Sequence, residues 1–316
     1  MKKQHSNTRL LCQLSAVAAL VLSGNAMADE AFSADSKWMT GDWGGERTKL
    51  IEQGIDIKAD YVGEMGANLH GGYNDDKTGR YSDQFGLGVA FDLQKLLGWD
   101  NTQAKIQLTN RNGQNISNDR IGDPRAGTLS SSQEVYGRGH MVRLTQLWVQ
   151  HQFLDGKLDV KAGYFGEGED FNTFPCDFQN LAFCGSQVGN WATGIWYNWP
   201  VSQAALRIKY NITPELYAQI GAYNQNPSQL EHGNGFKLSG SGTKGTVLPV
   251  ELVWSPKLNS LPGEYRVGYY KSTADANDVR KDVNGQDAAN TGDAYRVHNS
   301  KHGYWFVGQQ QLTTHN

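Results

Sequence analysis

The 316-residue chain contains no run of 18 or more apolar residues, so no segment of it can cross a bilayer as a helix. It also lacks a basic excess: 29 Lys plus Arg stand against 32 Asp plus Glu, a formal net charge of -3, and no concentrated cationic face is available for phosphate backbones. No nucleic-acid partner is expected on that ground. With 8 prolines, collagen-like composition is excluded, and 34 aromatic residues are too many for a disordered chain. Catalytic signatures are missing as well. No Gly-rich phosphate loop joins a strand to a helix, and neither a serine nucleophile elbow nor HExxH occurs. What the chain does have is 37 Gly, 14 Tyr and 9 Trp, a composition that points to β-structure.

The first 28 residues read as an export signal: Lys2, Lys3 and Arg9 open it, Leu10 to Leu22 is mostly apolar, and Ala26-Met27-Ala28 supplies small residues for cleavage. An apolar stretch of this length is too short for an anchor helix, which needs about 17 to 25 residues. Without the three signal cations the mature chain carries 26 positive and 32 negative charges, a net of -6 over 288 residues. Cys12 leaves with the signal. Cys176 and Cys184, among Pro175, Asp177, Asn180 and Gly185, then read as a loop disulfide in an oxidising compartment and not as a metal pair, since no nearby His completes a site.

From Ile55 onward, apolar and polar residues alternate with period two. Ile55, Ile57, Ala59, Tyr61 and Met65 interleave with Asp56, Lys58, Asp60 and Glu64, which gives a strand with one apolar and one charged face. The alternation recurs in Phe85/Leu87/Val89/Phe91, in Ala104/Ile106/Leu108, in Leu158/Val160/Ala162, in Leu206/Ile208/Tyr210, in Leu216/Ala218/Ile220 and in Tyr265/Val267/Tyr269. Strands over 141 to 153, 246 to 255 and 302 to 312 follow it less cleanly, and the faces of Leu144 and Gln146 are ambiguous. Short connections at 94 to 101, 154 to 156, 211 to 214 and 256 to 262 alternate with long loops at 70 to 82, 113 to 140, 166 to 202, 225 to 245 and 272 to 301. On that alternation Trp191 to Trp199 belongs inside the third long loop.

A meander with short turns at one end, long loops at the other and charges of both signs on the second face predicts a transmembrane antiparallel β-barrel of all-β class. Ile57, Ala59, Leu87, Ile106, Val160, Ile208 and Ile220 are then expected to face lipid. A soluble lipocalin-like barrel would invert inside and outside. Ten strands are counted over 55 to 316. At about 29 residues per strand a sixteen-stranded barrel would need roughly 460 mature residues, so strands beyond Asn316 are expected. Residues 29 to 54 form an N-terminal segment with a short helix over Glu46 to Gln53, stopped by Gly54 in the left-handed region.

Gly41-Asp42-Trp43-Gly44-Gly45-Glu46-Arg47 in that segment, together with Leu158-Asp159-Val160-Lys161-Ala162-Gly163, Trp199-Pro200-Val201-Ser202 and Tyr223-Asn224, resembles the carbohydrate-selective porins of Gram-negative outer membranes, the OprB type. The likeness covers essentially all of 38 to 312. It implies a sixteen-stranded barrel that passes glucose and similar monosaccharides passively. It also implies a third loop folded inward to narrow the pore and a short helical piece at the periplasmic mouth. The partners implied are sugar solutes, outer-membrane lipid and lipopolysaccharide, with a homotrimer as the assembly to consider. No cofactor and no enzymatic activity are expected.

On this reading the lumen carries Lys58, Lys105, Arg111, Lys161, Arg207, Lys209 and Arg266 against Asp56, Asp60, Glu64, Asp92, Asp159, Glu251 and Glu264. Balanced charge does not make a one-sign ion filter. It suits neutral polyols, which use paired donors and acceptors plus aromatic faces; Tyr217, Tyr223, Trp191, Trp196, Tyr197 and Trp199 are the candidate faces. The bland reading of the same residues is a solvated barrel interior with aromatics anchoring the bilayer. Glu167, Glu169 and Asp170 could mimic a glycosidase pair, but loop acids of this kind are usually solvated. Asp275, Asn277, Asp278, Asp282, Asn284 and Asp287 miss the EF-hand spacing. The alternative to a porin is a periplasmic carbohydrate-binding or carbohydrate-hydrolysing β-protein.

Overall fold

The computed structural model describes residues 31–34, 36–125, 128, 131–192 and 194–314; the expected signal peptide lies outside the described residues. The chain divides into Met1–Asp56 and Ile57–Asn316. In the first unit a helix spans Glu46–Glu52 and gives way to Gly54 at φ +98°, the left-handed stop expected. Asp42 holds the start of this helix: its Oδ1 accepts from Thr48 N at 2.9 Å and Thr48 Oγ1 at 2.8 Å. Arg47 is buried with its guanidinium 4.5 Å from the ring centre of Trp38 and 5.0 Å from that of Trp43.

The strands are β1 (Ile55–Asn68), β2 (Thr78–Asp92), β3 (Thr102–Gly113), β4 (Met141–Phe153), β5 (Leu158–Phe165), β6 (Gln203–Asn211), β7 (Leu216–Gln225), β8 (Gly245–Trp254), the two-residue β9 (Lys257–Leu258), β10 (Leu261–Ser272), β11 (Ala276–Asp282), β12 (Tyr295–His298) and β13 (Lys301–Gln310). One sheet runs β1-β2-β3-β4-β5-β6-β7-β8-β10-β13, with β9 on the end of β10 and β11-β12 a separate hairpin in the last long loop. The ten long strands are those read from the alternation. Among the described residues β1 and β13 are the two edges of this sheet. β2 starts at Thr78, earlier than the expected loop of 70 to 82 allows, and the turn after it contains a helix, Leu93–Leu97, capped by the Asp92 carboxylate.

Burial settles inside from outside. Along β8, Val247, Glu251 and Val253 are buried while Leu248, Val250, Leu252 and Trp254 are exposed; Phe85, Leu87, Ile106, Leu206, Ile220 and Val267 are exposed likewise. The charged residues Arg111, Asp159, Lys161, Arg207, Glu251 and Arg266 are buried. Apolar side chains out and charges in is the arrangement of a barrel wall in lipid and the reverse of a soluble sandwich.

The ambiguity at Leu144 and Gln146 has a structural cause. The register jumps from Gln107↔Gln146 to Leu108↔Leu144, so Thr145 is the extra residue of a β-bulge. Leu144 therefore pairs on the outward side with Leu108, and Gln146 on the inward side with Gln107. A bulge breaks period two, and no alternation spans it.

Candidate functional site

The third long loop, between β5 and β6, lies against the inner face of the wall. Phe165, Phe171, Ala192, Ile195, Trp196, Tyr223, Val247, Tyr270 and Trp305 form one buried cluster that joins this loop to the inward residues of β5, β7, β8, β10 and β13. Tyr223 meets Phe165 and Phe171 edge-on, at 5.5 and 6.0 Å between ring centres, and Trp196 meets Trp305 and Tyr270 at 5.5 and 5.8 Å. Gly268 on β10 makes room for this packing, because a Cβ there would fall 2.1 Å from the Trp305 ring.

Charged groups add a second set of ties. The Lys161 ammonium is 2.5 Å from Asp170 and 3.6 Å from Glu169. Arg207 pairs with Asp159 at 2.6 Å and lies 3.6 Å from Asp170. Gln219 donates to the Asp170 carbonyl at 2.6 Å and to Glu251 at 2.9 Å. Glu251 also accepts from Trp305 Nε1 at 2.8 Å, Arg266 at 3.0 Å and Asn172 N at 2.9 Å. Glu167 is fully buried, its two oxygens accepting from Gln203 at 2.6 Å and Tyr197 N at 3.1 Å. Burial without a cation at hydrogen-bond distance pushes its carboxyl up to about 8. Glu169 is raised for the same reason, with Lys161 opposing. The expectation that these loop acids are solvated is thus corrected: docking of the loop buries Glu167 fully and leaves Glu169 and Asp170 half-buried and paired with Lys161.

The second long loop, between β3 and β4, is held inward too. Glu64 on β1 accepts from Val135 N at 2.9 Å, and buried Gln133 donates to Ser82 Oγ and the Gln114 carbonyl, both at 3.0 Å. Arg143 donates to the Arg138 carbonyl at 2.8 Å and to that of Gln229 at 2.8 Å. Arg138 has φ +57°, a left-handed conformation costly for a side-chain-bearing residue. These ties fix it.

Between the two loops and the wall is a cavity of about 440 Å³, bordered by Arg111, Glu134, Tyr136, Arg138, Glu169, Ser186, Asn190, Trp196, Tyr197, Asn198 and Trp199, among others. Its size is that of a small-ligand site. Two guanidinium groups, carboxyl groups and side-chain amides supply donors and acceptors, and Tyr and Trp supply flat apolar faces. The Glu134 carboxyl is raised by burial, with Arg111 opposing.

Of the residues expected to face the lumen, Arg111, Trp196, Tyr197 and Trp199 border this cavity, Trp196 and Tyr197 as buried side chains behind its surface. Lys161, Arg207 and Arg266 face inward but are taken up in ion pairs. Lys105, Lys209 and Tyr217 are half-buried on the inner wall, with Lys209 5.3 Å from the Tyr217 ring centre. Tyr223 is fully buried beneath the loop, where no solute reaches it, and Trp191 is exposed at a different cavity with Tyr270, Lys301 and Trp305. Glu134 and Arg138 were not singled out in the sequence. Cys176 and Cys184 are joined in a disulfide with Cα atoms 4.1 Å apart.

An inverted barrel wall with inward loops enclosing a polar and aromatic cavity defines an outer-membrane diffusion channel. A model of the carbohydrate-selective porin, OprB family, matches residues 76–316. The chain is 65% identical over 317 residues to Porin B of Pseudomonas aeruginosa, covering 100% of this chain and 70% of that protein. It is 44% identical over 311 residues to the putative porin QuiX of Acinetobacter baylyi, covering 96% of this chain and 68% of that one. The solved high-pH structure of Pseudomonas putida OprB superposes with a TM-score of 0.87 at 68% identity, over 90% of this chain and 68% of that chain. The chain belongs to the carbohydrate-selective porin family, OprB, and its place is the Gram-negative outer membrane.

Proposed function

We propose that the cavity between the second and third loops is the constriction through which monosaccharides such as glucose pass, and that no chemistry is done on them. The observation that carries this reading is the convergence of Arg111, Arg138, Glu134 and Trp199 on one cavity in the narrowed lumen. Guanidinium groups donate to sugar hydroxyl oxygens, the carboxyl accepts from hydroxyls, and the indole covers the apolar C–H face of the ring. The contacts stay modest in number and strength, because a solute held tightly would not leave. All of these groups come from one chain, so the reading requires no partner subunit; outer-membrane lipid surrounds the apolar wall.

Glu169 and Asp170 are engaged with Lys161, and Glu167 with Gln203 and Tyr197, which favours a structural use of the three acids over hydrolysis. The test is solute flux into liposomes carrying Arg111→Ala or Arg138→Ala. Monosaccharide flux should lose its advantage over disaccharide flux, and unchanged selectivity in both variants would refute the proposal.

A further inference from the structure

We propose that Gln84 is a positioning residue for sugar passage, fixing the Arg111 guanidinium and the Trp199 indole relative to each other. This inference rests on the sugar contact proposed for those two groups. Gln84 on β2 stands directly opposite Arg111 on β3 in the strand register. Its side-chain oxygen accepts from Arg111 Nε at 2.8 Å and from Trp199 Nε1 at 3.0 Å. Arginine and indole nitrogens only donate, so the shared atom must be the amide oxygen and not the amide nitrogen.

Arg111 and Trp199 border the cavity, whereas Gln84 stands behind them. One oxygen therefore couples a side chain of the wall to a side chain of the third loop. Engaging Nε sets the plane of the guanidinium and leaves its two terminal nitrogens free to meet a solute. Neither inward neighbour of Gln84 on β2 can replace it: Ser82 is already bound by Gln133, and residue 86 is Gly. A sugar ring needs its hydroxyl donors and its apolar platform at a fixed mutual angle, and Gln84 supplies that angle.

The experiment compares Gln84→Leu, which removes the acceptor, with Gln84→Glu, which keeps it, alongside Arg111→Ala and the parent protein. Glucose is titrated against single-channel ionic current, and heat-modifiable migration reports the folded barrel. Gln84→Leu should raise the half-saturating glucose concentration about tenfold, equivalent to ~1.4 kcal/mol. Gln84→Glu should stay within about twofold of the parent, a rescue that a space-filling role would not give. Gln84→Met, of similar length and without an acceptor oxygen, should behave as Gln84→Leu and replaces it if the leucine variant fails to assemble. An unchanged glucose response in Gln84→Leu or Gln84→Met, beside a weakened one in Arg111→Ala, overturns this inference and leaves the sugar contact standing. Loss in Gln84→Glu equal to that in Gln84→Leu also overturns it. A parent current indifferent to glucose overturns both readings.

Discussion

Replacing Asp170 with Ala removes the carboxylate that the third loop inserts between Lys161 and Arg207, whose side chains are each only 5% exposed. Losing one partner of a buried ion pair costs about 3 to 5 kcal/mol when a charge is left uncompensated. Here each cation keeps a second carboxylate, Glu169 for Lys161 and Asp159 for Arg207, so no charge is left uncompensated and a loss at or below the bottom of that range, ~2 to 3 kcal/mol, is expected in loop docking. That corresponds to a rise of roughly 30- to 150-fold in the ratio of undocked to docked loop. The aromatic cluster around Trp196 and Tyr223 and the ladder hydrogen bonds of the wall are untouched, so the barrel itself should fold as before. Single-channel recording provides the assay: the variant should show larger or more frequent wide-open conductance and should admit disaccharides that the parent retards. A variant with parental conductance and parental size selectivity would show that charge pairing does not hold the loop.

Glu167 gives a pH dependence with a definite sign. Its docked-state pKa near 8, above the ordinary value of 4.5, means that the docked loop binds the extra proton; docking is fully supported below about pH 4.5 and weakens as pH rises towards 8. Hydrogen exchange over 166 to 202 should show protection falling across that window, and Glu167→Gln should flatten the dependence; equal slopes in both proteins would contradict the assignment. Ile208→Arg puts a cation on the apolar outer face and should cost roughly 2 to 4 kcal/mol if it sits near the bilayer midplane, read as reduced folding into lipid vesicles, whereas folding at parental efficiency would place residue 208 in the lumen. Reducing the Cys176–Cys184 bond should loosen the third loop by somewhat under about 3 kcal/mol on the chain-entropy account, seen as faster proteolysis near Phe178 and Phe183, both exposed; identical cleavage rates would remove the disulfide as a stiffening element.

The wall was legible in the sequence because a strand in lipid obeys a local rule. Each inward residue has outward neighbours, and Leu206/Arg207/Ile208 shows the rule in three residues. The reading lost its footing where the rule is suspended. Thr145 adds a bulge residue that shifts the phase of β4. β2 runs on through Gly79, Tyr81 and Asp83, whose polar and small side chains hide its first turn of alternation.

The cavity was less accessible still. Glu134 and Arg138 lie in a loop with no periodicity, and their placement depends on Glu64, far away in sequence on β1, and on Arg143 at the start of β4. Local composition likewise marked Glu169 and Asp170 as solvated, since nothing in the loop itself reveals that it folds back onto Lys161 of β5 and Gln146 of β4. Tyr223 is covered by the third loop, and a loop folding onto a strand residue leaves no trace in strand alternation.

The most direct test of the account is the paired flux of glucose and a disaccharide into liposomes bearing the parent protein, measured over a range of glucose concentrations. The cavity bordered by Arg111, Arg138, Glu134 and Trp199 predicts glucose flux that saturates and exceeds disaccharide flux by more than their diffusion coefficients allow. Flux of both sugars rising linearly with concentration, in the ratio of free diffusion, would contradict it.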